Sequence, residues 1–237
     1  MQPFERILVP LDTTDVDWAV DLAARLQGHV GGIKLGKEFF TANGPQGVRK
    51  VTGGTAGNQP LFLDLKFHDI PNTVAGAIRS ANKVGPFILN VHASGGRAMM
   101  EAAVAANAEA GAARPILLAV TVLTSLDDED LSAMGVASTA EDQVVRLACL
   151  AQEAGMDGVV CSPKEITALR AACGAEFKLV VPGIRPAWAA ANDQKRILTP
   201  AEAVTMGADY LVIGRPITGA DDPVAAARKI GEELNQV

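Results

Sequence analysis

Eight short, β-branched apolar runs recur along this 237-residue chain, separated by Ala-rich stretches of helical periodicity. The runs are Ile7–Leu11, Gly31–Leu35, Leu61–Leu65, Phe87–Val91, Ile116–Leu123, Gly158–Cys161, Lys178–Val181 and Tyr210–Ile213. A strand that is apolar throughout is buried on both faces. Such strands alternating with amphipathic helices specify a parallel sheet covered by helices. Eight units of this kind fit a closed (β/α)₈ TIM barrel better than an open sheet, and the length is close to the roughly 250 residues such barrels use. Helix starts are legible too. Ser138-Thr139-Ala140-Glu141, Ser162-Pro163-Lys164-Glu165 and Thr199-Pro200-Ala201-Glu202 each set a hydroxyl three residues before a glutamate, the reciprocal cap of a helix N-terminus. Pro163 and Pro200 take the first helical position, Asp221-Asp222-Pro223 opens the last helix, and Gly111 and Gly155 fall where helices should stop.

No linker, low-complexity tract or change of composition interrupts the pattern, so residues 1–237 read as one barrel domain. Residues are 49% hydrophobic but only 4% aromatic, so the core is built from Ala, Val, Leu and Ile. The net charge of −6 is spread without a basic run, which argues against binding to nucleic acid or acidic lipid. Cys149, Cys161 and Cys173 are odd in number and lack metal-site spacing, as expected of reduced thiols in a cytoplasmic protein. No signal pattern opens the chain, and no apolar run approaches the ~18 residues needed to cross a bilayer, so no membrane partner is expected. Gly53-Gly54-Thr55-Ala56-Gly57 resembles a phosphate loop only superficially, since it precedes a strand and lacks the Gly-Lys-Ser/Thr ending.

Charges gather where the strands end. Asp12 follows strand 1, Lys34 lies in strand 2, Asp64 and Lys66 close strand 3, Thr124 and Ser125 follow strand 5, and Arg185 and Arg215 follow strands 7 and 8. In barrels of this architecture the C-terminal strand ends carry the active site. The densest stretch is Asp64-Leu65-Lys66-Phe67-His68-Asp69-Ile70-Pro71-Asn72-Thr73. Strand alternation points Asp64 and Lys66 the same way, and two acids around one lysine keep it protonated and aimed, as a proton donor.

Two sub-sites separate on this reading. Gly214 and Arg215 after strand 8, with the Arg185–Gln194 loop after strand 7, lie where such barrels hold phosphate, and arginine offers a fork suited to its oxygens. Lys34, Asp64, Lys66 and Asp69 form the second, an alternating array whose cations would repel a metal. Neither a metal nor a cofactor is expected. His29, His68 and His92 read as structural, because His92-Ala93-Ser94 lacks a nucleophile elbow and an acid partner. Pro182-Gly183-Ile184-Arg185-Pro186, with Gln194 beyond it, reads as a loop that closes over the ligand.

The stretch from Asp64 to Thr73 resembles the signature of the orotidine 5′-phosphate decarboxylase family. Lys34-Leu35-Gly36-Lys37-Glu38, Asn90-Val91-His92-Ala93-Ser94-Gly95-Gly96, Thr121-Val122-Leu123-Thr124-Ser125, Pro182–Pro186 and Val212-Ile213-Gly214-Arg215-Pro216 look like further family segments in the same order, spanning residues 7 to 217. The resemblance implies decarboxylation of orotidine 5′-monophosphate to uridine 5′-monophosphate without a cofactor. It implies that Lys66 protonates the pyrimidine carbon that loses carbon dioxide and that Asp64 crowds the substrate carboxylate. Lys34 would hold the array and contact ribose, and Asp12 would bind the ribose hydroxyls. It also implies a homodimer with shared sites, in which Asp69, Ile70 and Thr73 act across the interface. Thr124 and Ser125 would contact the nucleotide, while Arg185, Gln194, Gly214 and Arg215 would hold the phosphate and the closed loop. The Ala187–Asn192 stretch departs from the family pattern.

Two other readings stand beside this one. A magnesium-dependent sugar-phosphate decarboxylase or aldolase can share the Asp-x-Lys-x-x-Asp motif, but needs a carboxylate at the end of strand 2, where Lys34 stands. A non-catalytic nucleotide-binding regulator would leave the Lys66 array unexplained.

Overall fold

The computed structural model describes residues 1–53, 59–189 and 198–237. Eight parallel strands close into a barrel in chain order, the last pairing with the first. They are β1 Ile7–Pro10, β2 Gly32–Gly36, β3 Leu61–Phe67, β4 Ile88–His92, β5 Ile116–Val120, β6 Gly158–Val160, β7 Lys178–Pro182 and β8 Tyr210–Val212. Every expected run overlaps its strand, and most ends differ by no more than a single residue. The fifth is shorter than expected, ending at Val120, where the Thr121 hydroxyl donates to the Val160 carbonyl. The third is longer, reaching Phe67.

Helices α1 Val16–Leu26, α2 Lys37–Gly53, α3 Pro71–Asn82, α4 Arg97–Ala108, α5 Asp128–Ala133, α6 Ala140–Glu153, α7 Ile166–Cys173, α8 Pro200–Met206, α9 Arg215–Thr218 and α10 Pro223–Leu234 cover the barrel. A kink at Gly44, with φ 59°, divides α2 just before Pro45. Thr199 caps α8 and Asp222 caps α10, as their sequences imply. The α6 cap is displaced by one residue. Thr139 accepts from the Asp142 backbone, whereas the Ser138 hydroxyl is buried without a partner among the described residues. Gly155, with φ +84°, follows the end of α6, while Gly111 begins a separate 3₁₀ turn beyond α4.

Strand alternation sorts the apolar side chains into two shells. Ile7, Val9, Ile33, Leu61, Leu63, Leu89, Val91 and their equivalents pack outward against the helices. Leu8, Phe62, Ile88, Leu118, Val180, Tyr210 and Val212 fill the barrel interior. Truncating a buried phenylalanine such as Phe62 to alanine costs about 3–5 kcal/mol. The inward positions of β2, β3 and β4 then change character toward their C-terminal ends. Lys34, Asp64 and Asn90 succeed Gly32, Phe62 and Ile88 on the same face, which turns the mouth of the barrel from packed core into a polar site.

Candidate active site

Asp64 is the centre of that site. It is only 7% exposed, yet its carboxylate meets three donors. Oδ1 accepts from Lys66 Nζ at 2.6 Å and from Asn90 Nδ2 at 2.7 Å, and Oδ2 lies 3.3 Å from Lys34 Nζ. Lys34 Nζ also lies 3.3 Å from Asp12 Oδ1, extending the array across strands 1 to 3. Burial alone would raise the Asp64 pKa. The charges of Lys34 and Lys66 and the hydrogen bonds from Lys66 and Asn90 outweigh it, holding the carboxyl below its ordinary value. Of the expected array, Lys34, Asp64 and Lys66 are therefore in contact, with Asp12 beside Lys34.

The backbone that presents Lys66 is unusual. Among the described residues Lys66 is the one non-glycine with positive φ, at +52°. The β3–β4 register shifts between Leu63 and Phe67 at the same point. An L-residue held there stores about 1–3 kcal/mol of strain, which persists only where neighbours over-determine it. Here the Lys66 amide donates to Asn90 Oδ1 at 2.8 Å. Simple strand alternation thus reaches the right pairing through a local irregularity that sequence does not display.

Gly36 also helps shape the array. A Cβ there would stand 3.3 Å from Lys34 Nζ and 3.7 Å from Asp12 Oδ1, so a side chain would crowd the ion pair. Neither Gly36 nor Asn90 is a site residue on sequence reasoning, although both lie within the family-like segments. Gly36 ends β2 and Asn90 lies within β4, both on the inward face.

His92 ends β4, and its ring centroid lies 5.5 Å from that of His68. Burial, followed by the neighbouring His68, Lys37 and Lys66 charges, outweighs Asp64 and pushes His92 down to about 4. The imidazole is uncharged at neutral pH, which fits a packing role. His29 lies apart, beside Arg228.

The remaining expected residues divide. Asp69 accepts from the Ile70 amide at 2.6 Å and is exposed, as is Thr73, while Ile70 is 66% exposed. None of the three touches the Asp64–Lys66 pair within the described chain. Thr124 and Ser125 lie in the exposed turn after β5, and Thr124 lines a cavity of about 1220 Å³ together with Pro182 and Gly183. That cavity opens over strands 5 to 7, and its lining residues do not include those of the charged array. Arg185 is half-buried, and its amide donates to the Leu198 carbonyl. Gly214 precedes α9, with an exposed Arg215 as its first residue. A Cβ on Gly214 would stand 3.0 Å from Pro10 Cγ, so close packing alone already selects glycine there. Gln194 and residues 190–192 lie outside the described residues, as do Gly54 to Gly57, while Ala187–Ala189 form a 3₁₀ turn.

A parallel eight-stranded barrel with ionised side chains converging at its C-terminal strand ends has the build of a barrel enzyme. The model of the "Orotidine 5'-phosphate decarboxylase / HUMPS family" matches residues 5–230, and the chain belongs to that family. It is 60% identical to orotidine 5′-phosphate decarboxylase of Rhodospirillum rubrum, over 96% of this chain and 93% of that protein. It is 54% identical to the enzyme of that name from Moorella thermoacetica, over 100% and 95% respectively. Among solved structures, orotidine 5′-phosphate decarboxylase from Lactobacillus acidophilus superposes with a TM-score of 0.85 at 37% identity, covering 97% of this chain and 98% of that one.

Proposed function

We infer that this chain is a carboxy-lyase that converts orotidine 5′-monophosphate to uridine 5′-monophosphate. The single observation that carries the mechanism is the 2.6 Å pair between Lys66 Nζ and a buried, doubly supported Asp64. In the proposed step the bond between the pyrimidine ring and its carboxylate breaks, carbon dioxide leaves, and the electron pair stays on the ring carbon. A proton passes from the Lys66 ammonium to that carbon. Asp64, kept anionic, stands against the substrate carboxylate, and this repulsion ends as carbon dioxide departs. The fixed ammonium opposes the growing negative charge in a site where few waters compete, so no reorganisation is needed at the moment of reaction.

The remaining roles are those the family resemblance implies. Lys34 and Asp12 hold the array and meet the ribose, Thr124 and Ser125 meet the nucleotide, and Arg185, Gln194, Gly214 and Arg215 meet the phosphate and the closed loop. The 66% exposed Ile70, flanked by exposed Asp69 and Thr73, supports a homodimer in which these three residues complete the partner's site. Phosphate binding far from the reacting carbon can drive loop closure and so support catalysis. A metal-dependent sugar-phosphate decarboxylase or aldolase can share the Asp-x-Lys-x-x-Asp motif. Lys34 occupies the strand-2 position where the metal-dependent reading needs a carboxylate, which favours the nucleotide.

The test is ultraviolet absorbance of orotidine 5′-monophosphate mixed with the purified chain and excess EDTA. Loss of the substrate band in wild type, with none in Lys66→Ala, is the expected result. A silent wild type that turns over only when magnesium and a sugar phosphate are supplied would overturn the reading.

A further inference from the structure

Asn90 lies at the inward face of β4 and is 0% exposed. Its amide is used at both ends, and the two uses fix its orientation. The Lys66 backbone N–H is a donor and must meet oxygen, which places the NH₂ group against Asp64, an acceptor. The flipped amide would set N–H against N–H and oxygen against carboxylate. The site of this bridge is also where the ladder is incomplete. Register partners run to Leu63 and Leu89 and resume at Phe67 and Val91, and the Asn90 side chain binds the strand between them. A leucine of similar volume would fill the space but leave the Lys66 N–H and Asp64 Oδ1 short of a partner, a cost of the kind that buried polar groups avoid.

We propose that Asn90 is a positioning residue for the decarboxylation: one amide holds the Asp64 carboxylate in place and the Lys66 backbone in the left-handed conformation from which its ammonium is aimed. The inference deepens the function proposed above and rests on it. A merely structural amide would tie β3 to β4 and leave the reaction untouched, so the test must separate the two.

The decisive variant is Asn90→Asp, which keeps size and the acceptor facing the Lys66 amide. When the introduced carboxyl is protonated, its O–H can donate to Asp64 as the native NH₂ does. When it is ionised, two carboxylates face each other. Its kcat is expected to fall at least about tenfold below wild type near pH 8 and to climb back toward wild type as pH falls. Asn90→Leu is expected to lose at least about tenfold in kcat at every pH, with the Kd for uridine 5′-monophosphate held within about threefold. If Asn90→Leu does not fold, the pH profile of Asn90→Asp decides alone. Retention of kcat within about twofold in Asn90→Asp near pH 8 would overturn the proposal, as would equal losses of rate and nucleotide binding with no recovery at low pH. A carbon-13 titration of the Asp64 carboxyl supplies a readout that does not need turnover. Its midpoint is expected to rise in Asn90→Leu, and an unchanged midpoint would count against the bridge. Should wild type itself fail to act on orotidine 5′-monophosphate, the functional reading falls while the titration still judges Asn90.

Discussion

The two ends of the barrel each hold an aspartate between two cations, and they use it differently. At the mouth, Asp64 meets Lys34, Lys66 and Asn90. At the base, Asp209 meets Arg170 at 2.6 Å, Lys178 at 3.5 Å and the Leu179 amide at 2.8 Å. Arg170 is consumed there. Its guanidinium also donates to the carbonyls of Gly207, Gly174, Ala175 and Phe177, stitching the ends of α7 and α8 to the start of β7. Asp157 repeats the arrangement two strands earlier, accepting from Arg114 and from the Leu117 amide of β5. At the base, Arg170 therefore has its donors spent on Asp209 and on backbone carbonyls, through relaxed geometry. At the mouth, Lys66 spends one of its three ammonium donors on Asp64 among the described residues, and does so from a strained backbone. Unspent donors and retained strain, more than burial of charge, separate a site from a clamp.

That contrast can be broken by mutation, and the largest effect is expected at the mouth. Lys66→Ala should lower kcat by about a hundredfold or more, over ~3 kcal/mol of barrier, in single-turnover absorbance assays. A variant within about tenfold of wild type would remove the proton-donor assignment. Arg170→Ala should lower the unfolding free energy by about 3 kcal/mol in a urea titration while the molecules that remain folded keep their kcat, because it abandons Asp209 and several carbonyls together. Arg215→Ala should weaken uridine 5′-monophosphate binding by about tenfold or more with a smaller effect on the nucleoside lacking phosphate, as calorimetry would show. Equal binding of the monophosphate would misplace the phosphate site.

Smaller effects test strain and titration. Lys66→Gly should be about 1 kcal/mol more stable than Lys66→Ala, since only glycine occupies φ +52° without penalty. Equal midpoints would mean the backbone relaxes. His92 is pushed down to about 4 in the fold from 6.5 when unfolded, so the unfolded chain takes the proton first as pH falls. Its contribution is complete above pH 6.5 and is lost between 6.5 and about 4. A His92→Gln variant should show a shallower fall in stability over that window, and an unchanged slope would locate the titration elsewhere.

Much of this contrast was legible in the chain. The eight strands emerge from uninterrupted apolar runs because both faces are buried, and the largest displacements of their ends fall where a side chain intervenes, as Thr121 does after β5 and Asn90 does beside β3. Asp12, Lys34, Asp64 and Lys66 stood out as charges at the ends of such runs. Asn90 did not, because a single amide inside an apolar strand looks like an ordinary core substitution until its partner on the neighbouring strand is known. The left-handed Lys66 leaves no sequence signature, since a hydrogen bond to the neighbouring strand holds it, whereas the α6 cap at Thr139 is a local bond to Asp142 that overlaps the expected Ser138 pattern by one residue.

The central claim is that the cluster at the mouth is held for chemistry at little benefit to the fold. The most direct measurement is the urea unfolding free energy of the same Lys66→Ala preparation whose rate is assayed. The account predicts a value within about 1 kcal/mol of wild type, because Asp64 keeps Lys34 and Asn90 when the ammonium is removed. A loss of about 3 kcal/mol, matching that of Arg170→Ala, would contradict it and make Lys66 a clamp like the one at the base.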